Sequence, residues 1–225
     1  MDSTEIGILI GSALLHQAFF QSISGDTRGD GAKLKSCYLS HLHCAVAVTS
    51  CMVYWATQPV ELSSATWMIE GPEGRNSQWM RYTIAFSVGY LINDLFLMVQ
   101  HPVVGGGDMI VHHIVCIAFW SLGVFDRCCT PYHFLLFIEE LSTPFLNVRW
   151  QYRNEKNSTT YQAAQTGFVQ TGFAAVWGFP GMLVAYNLVH VPGFIRLLNF
   201  FWFYKIIKIA VRGGRTTYMN EDKIA

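Results

Sequence analysis

The sequence predicts an all-α integral membrane protein of about seven transmembrane helices, with its N-terminus outside or lumenal and its C-terminus cytosolic. Three observations carry that expectation. The 225 residues are 52% hydrophobic and 15% aromatic but only 13% charged, where a soluble domain carries about a quarter. Long apolar runs alternate with short polar connectors, and crossing the hydrocarbon core takes about 20 mostly apolar residues. Lys and Arg concentrate in alternate connectors, the asymmetry that sets orientation.

Seven runs qualify as spans: residues 5–23, 35–57, 79–100, 109–125, 131–149, 162–189 and 194–211. The first carries Asp2 and Glu5 where a cleavable signal has a basic flank, so it reads as a retained span. The 24–35 connector holds Arg28, Lys33 and Lys35, and the 149–161 connector holds Arg149, Arg153 and Lys156. With Lys205, Lys208, Arg212, Arg215 and Lys223 at the C-terminal end, these define the cytosolic side. The alternate connectors are poor in Lys and Arg: 58–78 has Glu61, Glu70 and Glu73 with only Arg75, 126–130 has Arg127, and 190–193 has none. GFPG at 178–181 predicts a kink in the sixth span, because Pro removes a backbone donor and crowds the preceding turn. The domain organisation that follows is 1–34, the first span and a basic loop; 35–212, about six spans; and 213–225, a short tail.

Composition also excludes functions. Formal net charge is zero, which gives a nucleic-acid partner no electrostatic support. The six cysteines form no CxxC pair and no zinc-type spacing, so no metal site is expected. Cys37, Cys44 and Cys51 recur every seven residues and read as small packing groups on one helical stripe. Cys128 and Cys129 are adjacent, which is poor geometry for a disulfide between them.

The chemistry concentrates around GGGDMIVHHIV, residues 105–115. The glycines lack the spacing of a phosphate loop and read as a tight turn. Asp108 is the expected N-cap of the fourth span, with His112 stacked on it at i+4 and His113 rotated by about 100°. Asp94 falls about 10 Å inside the end of the third span, at 1.5 Å per residue, where Arg81 or His41 offers a structural pairing. The fifth span carries Glu139, Glu140, Thr143, Pro144, Asn147 and Arg149, with Glu140, Thr143 and Asn147 on one helical face. The second brings His41 and His43 to comparable depth on different faces; His16 and His43 read as packing residues. An ionised group at the bilayer centre costs at least ~2.5 kcal/mol. Such groups on four spans are therefore read as one cavity or pairing network in the cytosolic half. The FWFYKIIK run at 201–208 reads as an interfacial anchor.

GYLINDLF, then MIVHHIV, then IEELSTPFLNVRW resemble the TLC domain family, which includes the ceramide synthases, Tram-type proteins and small TLC domain-containing proteins. The resemblance covers roughly residues 35–212 and implies a TLC-type bundle. From the synthase branch it implies acyl transfer from acyl-CoA, with His112 and His113 as the catalytic groups and Asp94 as their acidic partner. The chain departs from that branch: it lacks the downstream histidine–aspartate and the N-terminal extension. It carries instead the EE-x-S-T-P-F-L-N-x-R-W form of the small proteins, which implies a general role in setting phospholipid or ceramide composition.

The leading expectation is an acyltransferase-like enzyme of lipid metabolism. An imidazole titrates near neutral pH, which suits a general base or an acyl-accepting nucleophile. Asp108, Glu140, Thr143, Asn147, Arg149 and His41 are the expected substrate-binding residues. No tightly bound cofactor is expected; acyl-CoA is the candidate co-substrate and a membrane lipid the partner. The alternatives are a non-enzymatic lipid-binding protein regulating membrane composition, and a transporter, channel or haem protein using His41 opposite the pair. Lys223, third from the C-terminus, is a poor retrieval signal alone, which leaves endoplasmic reticulum and plasma membrane as candidate locations. The topology puts the sequon Asn157-Ser158-Thr159 in the cytosol. Endoglycosidase treatment of the expressed protein should therefore leave its mobility unchanged, and a glycan at Asn157 would reverse the orientation.

Overall fold

The structure, a computed structural model, describes residues 2–57, 78–125, 130–177 and 204. Among them every regular element is helical: α1 (Ser3–Ser22), α2 (Gly29–Thr57), α3 (Gln78–Gln100), α4 (Gly107–Phe125), α5 (Thr130–Leu135), a 3₁₀ segment (Leu136–Ser142), α6 (Thr143–Gln151) and α7 (Thr159–Trp177). Two of these are long and apolar enough to cross a membrane: α2 over Gly29–Tyr54, and α3. A shorter apolar stretch, Gly107–Leu122, lies in α4. The GFPG kink, the paired Cys128 and Cys129, and the seventh run apart from Tyr204 lie outside the described residues. The chain forms two compact units, Met1–Glu140 and Leu141–Ala225.

In the first unit α3 is the spine, packed by α1, α2, α4 and α5. It buries Ile84, Ala85, Val88, Leu91, Leu97 and Met98, and also Thr83, Ser87, Asn93 and Asp94. Polar groups on the buried faces of α3 must find partners inside the bundle, while Trp79, Ile92, Phe96 and Val99 stay exposed. α1 crosses it at Gly89, where a Cβ would run into the Leu9 carbonyl and Ser12. Glycine lets the two backbones meet, and Ser12 Oγ donates to the Phe86 carbonyl at 2.6 Å.

A buried ion pair ties the same two helices. Arg81 Nε donates to Glu5 Oε1 at 2.6 Å, with the Glu5 side chain fully buried. The other oxygen, Oε2, accepts from the Asp2 amide at 2.8 Å while Asp2 Oδ1 accepts from the Glu5 amide at 2.9 Å, a capping box. Arg81 is therefore not the partner of Asp94, contrary to one expectation. Thirteen residues of helix separate the two by roughly 20 Å. His41 is not that partner either, since its Nδ1 donates to the carbonyl of Cys37 at 2.6 Å.

α2 begins at Gly29, six residues before the expected start of the span at 35. Gly29 takes a φ of 51°, a left-handed turn that favours glycine. The early start places Lys33 on the helix, where its Nζ donates to the Val104 carbonyl at 2.6 Å in the α3–α4 turn. Cys37, Cys44 and Cys51 are all buried, as their sevenfold spacing implies.

The fifth run, expected as one helix over 131–149, is broken into α5, the 3₁₀ segment and α6. Pro144, in the first turn of α6, has no N–H to close on the Glu140 carbonyl. That carbonyl accepts from Cys44 Sγ on α2 instead, at 3.0 Å. Glu140 consequently lies in the 3₁₀ segment and Thr143 and Asn147 in α6, so the single helical face expected for the three is interrupted.

In the second unit α6 packs on α7. Gly167 leaves room for the Phe145 ring, and Asn147, Ala164 and Phe168 are buried. The Arg149 guanidinium carbon lies 5.8 Å from the Tyr161 ring centre, a cation–π contact.

Removing one member of a buried ion pair strands the other's charge and typically costs about 3–5 kcal/mol. Arg81→Met should lower the thermal unfolding temperature in detergent markedly. Adding Glu5→Gln should recover most of the loss, because Gln at that position preserves the capping box without the charge.

Candidate functional site

The site is built where α3 ends and α4 begins. The turn between them closes with the Val104 amide on the His101 carbonyl at 2.8 Å. The Gly106 carbonyl then accepts the amides of Met109 and Ile110, at 2.9 and 3.1 Å. α4 thus starts at Gly107, and Asp108 is in its first turn rather than at the N-cap. The helix begins two residues earlier than expected, and a carboxylate in the first turn still complements the N-terminal dipole.

One turn on, His113 is buried and His112 partly so. The His113 Nε2 lies 3.0 Å from Asp94 Oδ2. Ser36 Oγ, from α2, donates to the other carboxylate oxygen at 3.1 Å. The His113 Nδ1 faces the Met109 carbonyl at 2.9 Å. A carbonyl only accepts, so Nδ1 carries hydrogen. Nε2 of that tautomer would turn a lone pair toward the carboxylate unless a proton lies between them. The pair therefore holds a proton between Nε2 and Oδ2, a charge-assisted contact with 4% exposure at either residue.

His112 stands differently. Its ring centre is 5.7 Å from that of His113, at 75°, and its Nε2 lies 3.6 Å from Cys116 Sγ one turn along α4. The expected divergence of the adjacent rings is what α4 produces, and the two imidazoles present different groups to their surroundings. His113 has both nitrogens set against acceptors; His112 contacts a thiol.

Of the residues expected at the site, the structure joins Asp94 to His113 and sets His112 beside them. Asp108 is exposed at the start of α4. His41 is turned to its own helix. Glu140 is partly buried and Glu139 exposed. Thr143, Asn147 and Arg149 belong to the second unit. Sequence reasoning missed Ser36, whose only signal was its place seven residues before His43 on one face of α2. Among the described residues no group of three or more His, Cys, Asp and Glu could hold a metal ion.

Residues 33–180 match the sequence profile of the TLC domain, more than half of the chain. Over 76 residues the chain is 41% identical to TLC domain-containing protein 4 of Xenopus tropicalis and to TLC domain-containing protein 4-A of Xenopus laevis. Those matches cover 32% of this chain and only 28% of each relative's length. TLC domain-containing protein 4-B of Danio rerio is 26% identical across 92% of this chain and 89% of its own. No solved structure matches the chain.

Nitrogen NMR of labelled histidine should show both His113 nitrogens bearing hydrogen at neutral pH, or hydrogen shared with Asp94. Asp94→Asn should abolish the Nε2 proton signal and leave the Nδ1 signal in place. An unprotonated Nε2 in the wild type would contradict the geometry.

Proposed function

Since the chain belongs to the TLC domain family, one of membrane-associated, lipid-related proteins, we propose that it is a multi-pass protein of lipid metabolism working through His112, His113 and Asp94. The observation that carries the reading is the Asp94–His113 contact, 3.0 Å, buried between α3 and α4 and braced by Ser36. An ionisable group inside a membrane bundle is a functional-site candidate, and this one lies beside a second histidine, His112. The proposal includes the seven-span topology with the C-terminus in the cytosol, supported by the apolar lengths of α2 and α3 and by the distribution of Lys and Arg.

The reaction we assign is acyl transfer from acyl-CoA or a phospholipid to a lipid amine or hydroxyl. His112 is the general base, because His113 has no lone pair to offer. As the acceptor attacks the acyl carbonyl, His112 takes its proton; as the intermediate collapses, it returns that proton to the departing thiolate or alkoxide. One acyl bond forms and one breaks. His113, fixed by Asp94 and the Met109 carbonyl, is the positioning residue that holds this turn of α4, and with it His112, in place. Glu140 is assigned to the acceptor head group. The membrane concerned is the endoplasmic reticulum or the plasma membrane.

A second reading is favoured by the same His113 geometry. With both nitrogens already taken by Asp94 and the Met109 carbonyl, the ring braces α3 against α4, which suits a protein that holds a lipid without turning it over.

Lipidomics separates the two. Cells carrying His112→Ala should lose the acyl-chain remodelling produced by the wild type, while purified His112→Ala keeps its co-purifying lipid. An unchanged lipid profile with His112→Ala, together with loss of bound lipid from Asp94→Asn, would favour binding alone.

A further inference from the structure

We propose that the interface between α2 and α3 conducts protons through the apolar layer, by way of buried imidazole and hydroxyl groups and water between them. The two helices run antiparallel and meet through polar pairs. Ser50 Oγ and Thr83 Oγ1 are 2.7 Å apart, and Ser36 donates to Asp94 at 3.1 Å. Between these, His43 stacks on Tyr90 at 4.1 Å and 11°. Trp79 Nε1 donates to Ser50 at one end, and His113 meets Asp94 at the other. Positions 79 to 94 of a helix cover about 22 Å, most of the ~30 Å hydrocarbon core.

Polar pairs alone would serve packing between two helices in an apolar solvent; this interface carries more. Its middle also holds polar atoms that nothing satisfies. Ser87 Oγ, both nitrogens of His43 and Nε2 of His16 have no hydrogen-bond partner among the described residues. All three side chains are fully buried. Ser87 stands one helical turn from Thr83 and three residues before Tyr90, on the same stripe of α3. His16 reaches Tyr90 from α1, with ring centres 5.1 Å apart. Unpaired buried polar atoms are costly, and ordered water is their usual remedy.

The rings at this interface make a chain of contacts. His16 and His43 both lie against Tyr90, at 5.1 and 4.1 Å, and Asp94, one helical turn beyond Tyr90, meets His113 of α4. An imidazole with both nitrogens open takes a proton on one and releases a proton from the other. One N–H bond forms as one breaks, water carries the proton to the next group, and nothing is oxidised or reduced.

This activity requires α2 and α3 to cross the membrane but does not depend on lipid turnover. The full chain, reconstituted in phosphatidylcholine vesicles containing a pH-sensitive dye, is given a potassium diffusion potential with valinomycin. Internal pH should change several-fold faster than in protein-free vesicles. His43→Phe keeps a ring stacked on Tyr90 and should return the rate to that of protein-free vesicles. If that variant is not monodisperse in detergent, Ser87→Ala serves in its place, with a reduced rate expected. Wild-type vesicles no faster than protein-free ones, or a folded variant with undiminished flux, would overturn the proposal. The lipid reading is decided separately, by lipid composition in cells.

Discussion

A carboxylate at 4% exposure between packed helices has to be compensated where it lies, and the arrangement of the first unit follows from how Asp94 is compensated. One oxygen takes the Ser36 hydroxyl from α2 and the other faces His113 of α4. Those two contacts fix the start of α2, the end of α3 and the first turns of α4 against each other. The Lys33 bond to the Val104 carbonyl reinforces the same corner. Breaking a buried pair of this kind on one side leaves a charge in a medium that cannot solvate it, a larger loss than most packing defects.

The other end of α3 obeys the same rule with different residues. Glu5 is satisfied twice, by Arg81 across to α3 and by the Asp2 amide within its own helix. Between this pair and Gly89 the α1–α3 crossing is set by a polar bond and by the absence of a side chain. Helices in an apolar solvent gain little from burying more apolar surface, so polar bonds and small residues decide which faces meet. That explains why α3 carries polar groups along its length without losing its place at the centre.

The adjacent histidines differ because a helix turns between them. His113 is set between two acceptors, from its own preceding turn and from α3, and it keeps a proton there. His112 is directed toward Cys116. Adjacent histidines on a helix are expected to diverge, and in the folded protein one is anchored between two acceptors while the other contacts a thiol.

The run of hydrophobicity alone determined where the first, third and fourth helices lie and where the second ends. Expected spans 5–23, 79–100 and 109–125 correspond to Ser3–Ser22, Gln78–Gln100 and Gly107–Phe125. The stripe of Cys37, Cys44 and Cys51 and the need of Asp94 for a partner were also legible, because apolar periodicity and the cost of an ionised group in hydrocarbon are local properties. Pairings between helices were not. Asp94 chose His113 and Ser36 over Arg81, and Glu5 took Arg81, because register along α3 puts each within or beyond reach. Pro144 was visible in the sequence, yet the break in the fifth run took its form only once Cys44, a hundred residues earlier in the chain (to within four), accepted the role of donor to the Glu140 carbonyl. Sequence specifies which groups need partners; the packed helices decide which partner each one meets, because hydrogen bonds and ion pairs form only over a few ångströms.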